Sequence, residues 1–316
     1  MLRLQATAAE PLDGIVLAIA GLSRLFNDPA GHAIIAPLLQ GLRWMVLPLS
    51  EFPCTPGQAA LAIECRHADS PTRLLLSSLL DETTAKLVMT ERALLADLTD
   101  AEQSRFSATA ISHPILNVLL WINAGDQGKA YSDTRLHWLA PVPPGIHKAW
   151  DQPLPEGFRE RRPLPVSTDL GKRPAGFIAH HHALPEATRL SLPERVWTSG
   201  IMSWKKLAAR GIWVEGCAEN VSFESVKPQL STPVLQLPPL SEWVALTHAA
   251  AEASWSDSGI GHVAATYRIE THAELASGLD DVFRTCSHFY WNSFSEYLAL
   301  EKLLPDHAHH ACGAGK

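Results

Sequence analysis

The sequence has little of three features that would assign it to a particular class of protein. Only five of its 316 residues are cysteine and no two form a Cys-x-x-Cys pair, which argues against a disulfide scaffold or a structural zinc site. Positive charge is not in excess: the net charge of −7 gives no general attraction to nucleic acid or anionic lipid. The longest early apolar run, Ile15–Leu22, is too short to span a bilayer. We therefore expect a cytoplasmic protein with no nucleic-acid or membrane partner.

What is present is an ordinary globular composition. Hydrophobic residues make up 46% of the chain and charged residues 19%. At roughly 150 residues per domain, this length favours two domains, each large enough to bury a core. Ten tryptophans are expected in cores rather than as stacking platforms for bases, because the overall charge is acidic.

The first half has the pattern of a small α+β domain. An apolar stretch at Ile15–Leu22 suits a buried strand or a short helix, and Ala60–Cys65 has the length of a buried strand after a Pro-Gly turn. Leucines at helical spacing predict a helix over Thr83–Leu98. Strands are predicted at Val118–Ile122 and His137–Leu139. The pattern ends near residue 144.

A proline-rich stretch separates this domain from a second one. Residues 141 to 175 hold many of the 23 prolines, which is typical of an extended connection. Short apolar segments then alternate with helix-capable ones, which predicts a parallel sheet. The predicted strands lie at 176–179, 195–197, 212–214, 243–247, 263–267 and 288–291.

Three separated motifs in the first half carry a family resemblance. They read D-G-I-V-L-A-I-A-G-L from Asp13, P-G-Q-A-A-L-A-I-E-C-R from Pro56 and E-R-A-L-L-A-D-L from Glu91. In this order and spacing the region from Leu12 to Gly128 resembles the C-terminal portion of hydroxymethylbilane synthase (porphobilinogen deaminase). The resemblance implies that residues 1–66 are the end of that family's first two domains.

The same resemblance implies that residues 67–147 form the family's small third domain, and it locates one departure from the family. Where the family has the cysteine that carries its dipyrromethane cofactor, this sequence has Glu102. A carboxylate does not form that thioether, so we expect no cofactor. The family's catalytic aspartate lies in a domain that would precede Met1, so we do not expect this chain alone to polymerise porphobilinogen.

The second half resembles uroporphyrinogen-III synthase. The motif V-W-T-S-G-I-M-S-W-K-K-L-A-A-R-G looks like that family's strand, glycine turn and helix; A-A-T-Y-R looks like its tyrosine-bearing strand, ending at Tyr267. H-F-Y-W-N-S-F and the terminal A-C-G-A-G-K resemble its later elements. The resemblance implies a 148–175 linker and a Rossmann/flavodoxin-like parallel-sheet domain over 176–316, truncated before its last helix. The fold class is therefore α/β, with the small α+β domain first.

Together the resemblances imply tetrapyrrole biosynthesis, with cyclisation of hydroxymethylbilane to uroporphyrinogen III. This substrate carries eight carboxylates, which main-chain N–H groups and hydroxyls can hold. Tyr267 is the predicted catalytic residue, assisting departure of the substrate hydroxyl. The predicted substrate-binding residues are Thr198, Ser199, Gly200, Ser203, Lys205, Ser293 and Gly313. Helix capping, core packing and a solvated lysine pair at Lys205 and Lys206 are the structural alternatives for these residues.

Two other functions stay open at this point. One is hydroxymethylbilane synthase activity or its degenerate remnant. The other is a non-catalytic scaffold that binds the bilane or a hydroxymethylbilane synthase as partner. We predict no metal site: the histidines at 180–182 are adjacent, and adjacent histidines rarely face one ion together, while His307, His309, His310 and Cys312 lack further ligands at metal spacing.

Overall fold

The computed structural model shows a mixed α/β protein with two compact units. The first unit contains the described residues of Met1–Val46 and Arg159–His272, and the second those of Leu47–Phe158 and Ala273–Gly315. The structure describes residues 13–96, 98–113, 117–124, 132–137, 148–150, 152–166, 168–185, 192–219, 221–276, 278–291 and 294–312.

The helices and strands are numbered in chain order. The α-helices are α1 (Ile19–Asn27), α2 (Pro29–Leu39), α3 (Ser70–Ser77), α4 (Glu82–Ala93), α5 (Asp100–Gln103), α6 (Ile201–Ala208), α7 (Phe223–Leu230), α8 (Asp280–Arg284) and α9 (Phe294–Leu300). The strands are β1 (Phe106–His113), β2 (Asn117–Ala124), β3 (Ser132–His137), β4 (Ala149–Trp150), β5 (Arg159–Pro163), β6 (Ala175–Ile178), β7 (Arg195–Thr198), β8 (Gly216–Cys217), β9 (Val244–His248), β10 (His262–Thr271), β11 (His288–Trp291) and β12 (His309–Cys312).

The first unit is built on a six-stranded sheet in the order β5-β10-β9-β6-β7-β8. The strands from β10 to β8 are parallel, and β5 pairs antiparallel with the far end of β10. The predicted parallel sheet is therefore confirmed, except that its predicted last strand, at 288–291, lies in a different sheet of the second unit. From β6 the chain moves to β7 and β8 on one side, whereas β9 and β10 lie on the other. The strand order therefore reverses between β6 and β9.

Helices α1 and α2 belong to the core of the same unit. Leu22, Ile35 and Leu39 are buried in one cluster with Phe177 and Trp197 of the sheet. The Asp28 carboxylate caps α2 by accepting a hydrogen bond from the N–H of Gly31 at 2.8 Å. The apolar stretch predicted as a buried strand or short helix thus becomes a helix that begins at Ile19.

The second unit contains the antiparallel sheet β1-β2-β3, whose core side chains pack against leucines of and after α4. The predicted helix at Thr83–Leu98 is confirmed in type, but it ends at Ala93. The Asp81 carboxylate caps it by accepting from the Thr84 N–H at 2.8 Å. A second sheet of this unit, β12-β11-β4, is parallel and carries buried aromatic residues on β4 and β11.

The prediction of a buried strand at Ala60–Cys65 is wrong. This segment is assigned to no strand, and Leu61 and Ile63 are 93% and 63% exposed. A strand needs a neighbouring backbone to satisfy its N–H and C=O groups, and no described strand pairs with these residues. An apolar run alone does not supply that neighbour.

The stretch predicted as a linker contributes to both units. Residues 148–175 include β4, β5 and a 3-10 helix at Thr168–Lys172, in which Leu170 is buried. The chain passes from one unit to the other after Val46, Phe158 and His272, whereas the sequence predicts boundaries at residues 66, 147 and 175. The predicted strand at 212–214 lies instead at β8. Among the described residues, no helix has both the length and the apolar character needed to cross a membrane.

Candidate functional site

The candidate site lies in the first unit at the carboxyl ends of its parallel strands. Ligands of open α/β sheets bind at this edge, where the strand order reverses. The reversal lies between β6 and β9, which lead into His180 and end at His248 respectively. Tyr267 is the neighbour of His248 on β10, after a register shift between Ala265 and Tyr267. This edge therefore gathers side chains from separate parts of the sequence.

Tyr267 is held as a protonated phenol beside His248. Its side chain is buried, and the two ring centroids lie 5.8 Å apart. Burial raises the pKa of Tyr267, although Arg161 and Arg159 oppose the increase. A phenol with a raised pKa keeps its proton and is able to donate it as a hydrogen bond.

The predicted hydroxyl ligands on β7 and α6 are partly engaged by the protein itself. Thr198 is fully buried, and its Oγ1 donates to the Ile178 carbonyl oxygen at 2.7 Å. Its single proton is thus committed, which leaves only acceptor capacity for a ligand. The Ser203 Oγ accepts from the His181 N–H at 3.1 Å. Both hydroxyls therefore join the β7–α6 segment to the end of β6 and the turn that follows it.

The glycine turn before α6 has the geometry that the sequence predicted. Gly200 is the N-cap of α6, with no side-chain cap on the first-turn N–H groups. Ser199 is half-buried beside it, and Lys205 is exposed on the helix. These residues share one edge with Tyr267, whereas the predicted site residues Ser293 and Gly313 lie outside the described residues. The binding and catalytic roles of all these residues stay predictions.

Three histidines at this edge are brought together in a way that the sequence analysis rejected. The rings of His180, His181 and His182 lie with centroids 4.0 to 5.0 Å apart. Burial, followed by the neighbouring histidines, lowers the pKa of His180 to about 3 and that of His181 to about 4. Their position directly after a predicted strand, at residues 176–179, was the signal that could have placed them at the sheet edge.

Positively charged side chains shift the pKa values of Tyr267 and of the histidines at this edge. Arg161 shifts the pKa values of His180, His181 and Tyr267, and Arg159 acts on Tyr267 and His248. Further cations act on the histidine cluster from α6 and the turn after it, namely Lys206 and Arg210. Such an edge is electrostatically complementary to an anionic ligand with several carboxylates.

A second position of interest, Glu102, lies in the second unit. Its carboxylate accepts from the Thr99 N–H at 2.8 Å and from the Thr99 hydroxyl at 2.7 Å. This is the capping box of α5, and these hydrogen bonds lower the pKa of Glu102. The position offers no thiol and its carboxylate is used locally. The residue present therefore does not fit a thioether-linked dipyrromethane.

Comparison with known proteins confirms the resemblance of the N-terminal part. Residues 1–73 match the family model described as "Porphobilinogen deaminase, dipyromethane cofactor binding domain". Porphobilinogen deaminase of Limosilactobacillus reuteri (strain DSM 20016) is 36% identical over 96 residues, covering 30% of this chain and 28% of that protein. The Bacillus subtilis (strain 168) enzyme is 39% identical over 95 residues, covering 29% and 26%. Each match thus spans little more than a quarter of the relative.

Part of the chain is also similar to solved structures. The uroporphyrinogen-III synthetase from Helicobacter pylori 26695 overlaps with a TM-score of 0.30 and 13% sequence identity, covering 49% of this chain and 74% of that one. A TM-score this low does not establish a common fold. The interpretation of the second half therefore depends on its own motifs and on the geometry of the sheet edge.

Proposed function

We propose that this protein acts in tetrapyrrole biosynthesis, and that its first unit binds hydroxymethylbilane and cyclises it to uroporphyrinogen III. The main support for the proposal is the position of Tyr267. Its buried phenol lies at a sheet edge where arginine and lysine side chains supply positive charge. The N-terminal similarity to porphobilinogen deaminases supports the same pathway, because the bilane is the product of that family.

The cyclisation requires a proton donor for the leaving hydroxyl and a site that positions the two ends of the substrate. The C–O bond of the substrate hydroxymethyl group breaks, and the hydroxyl leaves as water with a proton from the Tyr267 phenol. The resulting azafulvene is an electrophile. The α-carbon of the terminal pyrrole that already bears a methylene bridge attacks this electrophile, which gives a spiro intermediate. The old bond from that carbon to its bridge then breaks, and the freed methylene group bonds to the other α-carbon, which closes the ring with that pyrrole inverted. A proton released by the pyrroles returns to the Tyr267 oxygen. The Tyr267 phenol is protonated at neutral pH, and burial, which raises its pKa, keeps it so; its proton is therefore available to the leaving hydroxyl.

The carboxylates of the substrate need fixed partners that do not titrate near neutral pH. The first-turn N–H groups of α6 after Gly200 carry no side-chain cap, and a helix N-terminus favours a carboxylate. The Ser199 hydroxyl and the Lys205 ammonium are on the same turn and helix, and Arg161 acts on the same edge from β5. These groups would orient the bilane so that its two ends meet, which lowers the entropic part of the barrier.

The test is an isomer assay. Purified protein receives enzymatically made hydroxymethylbilane, the product is oxidised, and the type I and type III porphyrins are separated. We expect type III, with Tyr267→Phe slowed on the order of 10²-fold, which is typical of a lost general acid. Tyr290→Phe is the matched control, because Tyr290 is 48% exposed and lies in the other unit. Type I product alone, formed at the spontaneous rate, would refute the proposal.

The second candidate is porphobilinogen deaminase activity or its remnant, favoured by the match of residues 1–73. The Glu102 carboxylate weighs against it, and we propose that the chain carries no dipyrromethane. Mass spectrometry of the intact protein and its colour with Ehrlich's reagent test this. Added mass with a red colour would overturn the proposal and favour the deaminase.

The third candidate is a bilane-binding scaffold, with a hydroxymethylbilane synthase as its partner. The Thr198 hydroxyl proton is committed to the Ile178 carbonyl oxygen, so this predicted site residue supplies no proton to a reacting group, which favours a role without chemistry. Tight bilane binding without a change in the ratio of type I to type III product would select this candidate. The cytoplasmic location stays a prediction of the sequence.

A further inference from the structure

We propose that His180, His181 and His182 form a binding site for a divalent transition-metal ion of the zinc class. Each of the three residues offers one ligand nitrogen, and these nitrogens all lie within 4.8 Å of one another. The cluster follows β6 at the reversal of strand order in the sheet, where ligands of such folds bind. The proposal does not depend on the bilane chemistry.

The local backbone explains how three consecutive side chains converge. His180 is extended, with φ −156° and ψ 145°, and the chain then turns into a 3-10 helix at His181–Ala183. The turn is closed by the Ala183 N–H, which donates to the His180 carbonyl oxygen at 2.7 Å. In a regular strand the middle ring would point to the opposite face. The change from extended to 3-10 geometry removes that alternation.

The hydrogen bonds around the rings show which nitrogens are open to a ligand. The Nδ1 of His181 is buried and has no hydrogen-bond partner among the described residues. A buried polar atom in this state is costly, and a bound ion would satisfy it. The Nε2 of the same ring lies 3.2 Å from the Lys206 Nζ, which can only donate; when Nδ1 binds an ion, the ring proton therefore moves to Nε2 and the Lys206 side chain turns away. The Nδ1 of His180 accepts a long hydrogen bond of 3.3 Å from the His182 N–H.

The donor set selects the class of ion. Zinc binds imidazole nitrogen at about 2.0 to 2.1 Å, so tetrahedral ligand nitrogens stand about 3.4 Å apart. Nitrogens that lie within 4.8 Å of one another would therefore approach by up to about 1.4 Å when the ion binds. Three imidazoles suit zinc, copper or nickel, whereas calcium and magnesium take oxygen ligands. The nearby Lys206 and Arg161 add positive charge, so we expect the fourth ligand to be an anion or water.

The experiment is a zinc titration of the chelator-treated full chain in the absence of substrate. Metal that stays with the protein after gel filtration is measured by plasma mass spectrometry. We expect one equivalent of zinc in the wild type, and its loss in the triple variant His180→Gln, His181→Gln, His182→Gln. Magnesium and calcium should not be retained.

Two control variants separate this cluster from other histidines. The variant His32→Gln, His67→Gln, His262→Gln removes three exposed and scattered rings, and His307→Gln, His309→Gln, His310→Gln removes those near the C-terminus. Both should keep the equivalent of zinc. Equal zinc retention by the cluster variant and the wild type, or none by the wild type, would overturn the proposal.

A second measurement uses only the wild type, so it tests the site even if the cluster variant does not fold. Cobalt is added to the chelator-treated wild type, and the intense visible absorption of tetrahedral, nitrogen-ligated cobalt is expected at one equivalent. The weak spectrum of hydrated cobalt throughout the titration would contradict the site. Neither readout depends on catalysis, so a negative isomer assay leaves this result standing, and the reverse also holds.

Discussion

The carboxylate of Glu91 on α4 accepts a hydrogen bond from the backbone N–H of Gly57, with 2.6 Å between Oε2 and the nitrogen. Its other oxygen, Oε1, accepts from the Ala110 N–H at 2.7 Å. Glu91 is only 7% exposed, so one buried side chain ties the turn at Gly57 and strand β1 to the helix. All three residues lie in the segment over which the family motifs were recognised.

Glu91→Gln should destabilise the second unit. The amide keeps the shape but replaces one acceptor oxygen with an N–H₂ group that faces a backbone N–H. Loss of one charge-assisted hydrogen bond is worth about 1.5 to 3 kcal/mol. Denaturant unfolding measures this change, with Glu82→Gln as control because Glu82 is exposed on the same helix. Equal stability of the two variants would contradict the bracing role of Glu91.

In the first unit, Arg195→Ala should destabilise the fold by about 3 to 5 kcal/mol, because it leaves a buried carboxylate unpaired. The Arg195 Nε donates to Glu215 Oε1, and the Trp197 Nε1 donates to the other oxygen at 3.3 Å. Burial raises the pKa of Glu215, and Arg195 opposes this increase. Unfolding free energies of wild type and variant give the difference.

The same variant has a pH dependence of defined sign. Without Arg195 the pKa of Glu215 should rise further, so the carboxyl takes up a proton more readily in the folded state than in the unfolded state. The folded variant is therefore destabilised most when Glu215 is ionised, and this destabilisation decreases as the pH falls and the carboxyl becomes protonated. The stability gap between Arg195→Ala and the wild type should narrow as the pH falls. A gap that widens on acidification would show that Glu215 is not the unpaired group.

The Tyr267 phenol should titrate above the usual pKa of about 10 for tyrosine. The spectrum of Tyr267→Phe is subtracted from that of the wild type during an alkaline titration, which isolates the tyrosinate absorbance of this one side chain. We expect it to appear above a pH of about 10, because burial raises the pKa of Tyr267. Ionisation of Tyr267 at or below a pH of about 10 would contradict this effect of burial.

Arg161→Gln should weaken binding of the bilane and of other polycarboxylates. Loss of one cation at the sheet edge is expected to raise the dissociation constant on the order of tenfold, or about 1.4 kcal/mol. The matched control is the next residue on β5, Arg162→Gln, since Arg162 is already paired with Glu160 and Glu270. Isothermal titration calorimetry at two salt concentrations measures both. Equal weakening by the two variants would indicate a general charge effect.

Local patterns were enough to predict the regular elements, but not the contacts between distant segments. The helix at α4 and the strands β6, β9 and β10 follow from leucine spacing and short apolar runs. The exposed segment Ala60–Cys65 has the same apolar character, but whether a strand forms depends on a pairing neighbour that composition does not reveal. Likewise, the Val46 N–H donates to the Glu215 carbonyl oxygen at 2.6 Å across a large sequence separation.

The candidate site was likewise predictable from the sequence only in part. Tyr267, Ser199 and Gly200 were recognisable from motifs, and the structure brings them to one edge of the sheet. The histidines at 180–182 were rejected as ligands on the rule that neighbouring side chains diverge. That rule holds for a strand, whereas here the backbone changes from extended at His180 to a 3-10 helix at His181–Ala183. The cationic character of the edge depends on Arg161, which comes from the stretch predicted as a linker.

The most direct measurement of the central claim is the proportion of type III product formed from hydroxymethylbilane by wild type, Tyr267→Phe and Arg161→Gln, each compared with a protein-free reaction. The account predicts mainly type III product for the wild type, a reaction slowed on the order of 10²-fold for Tyr267→Phe, and a raised KM for Arg161→Gln. Type I product from the wild type, at the rate of the protein-free reaction, would contradict it.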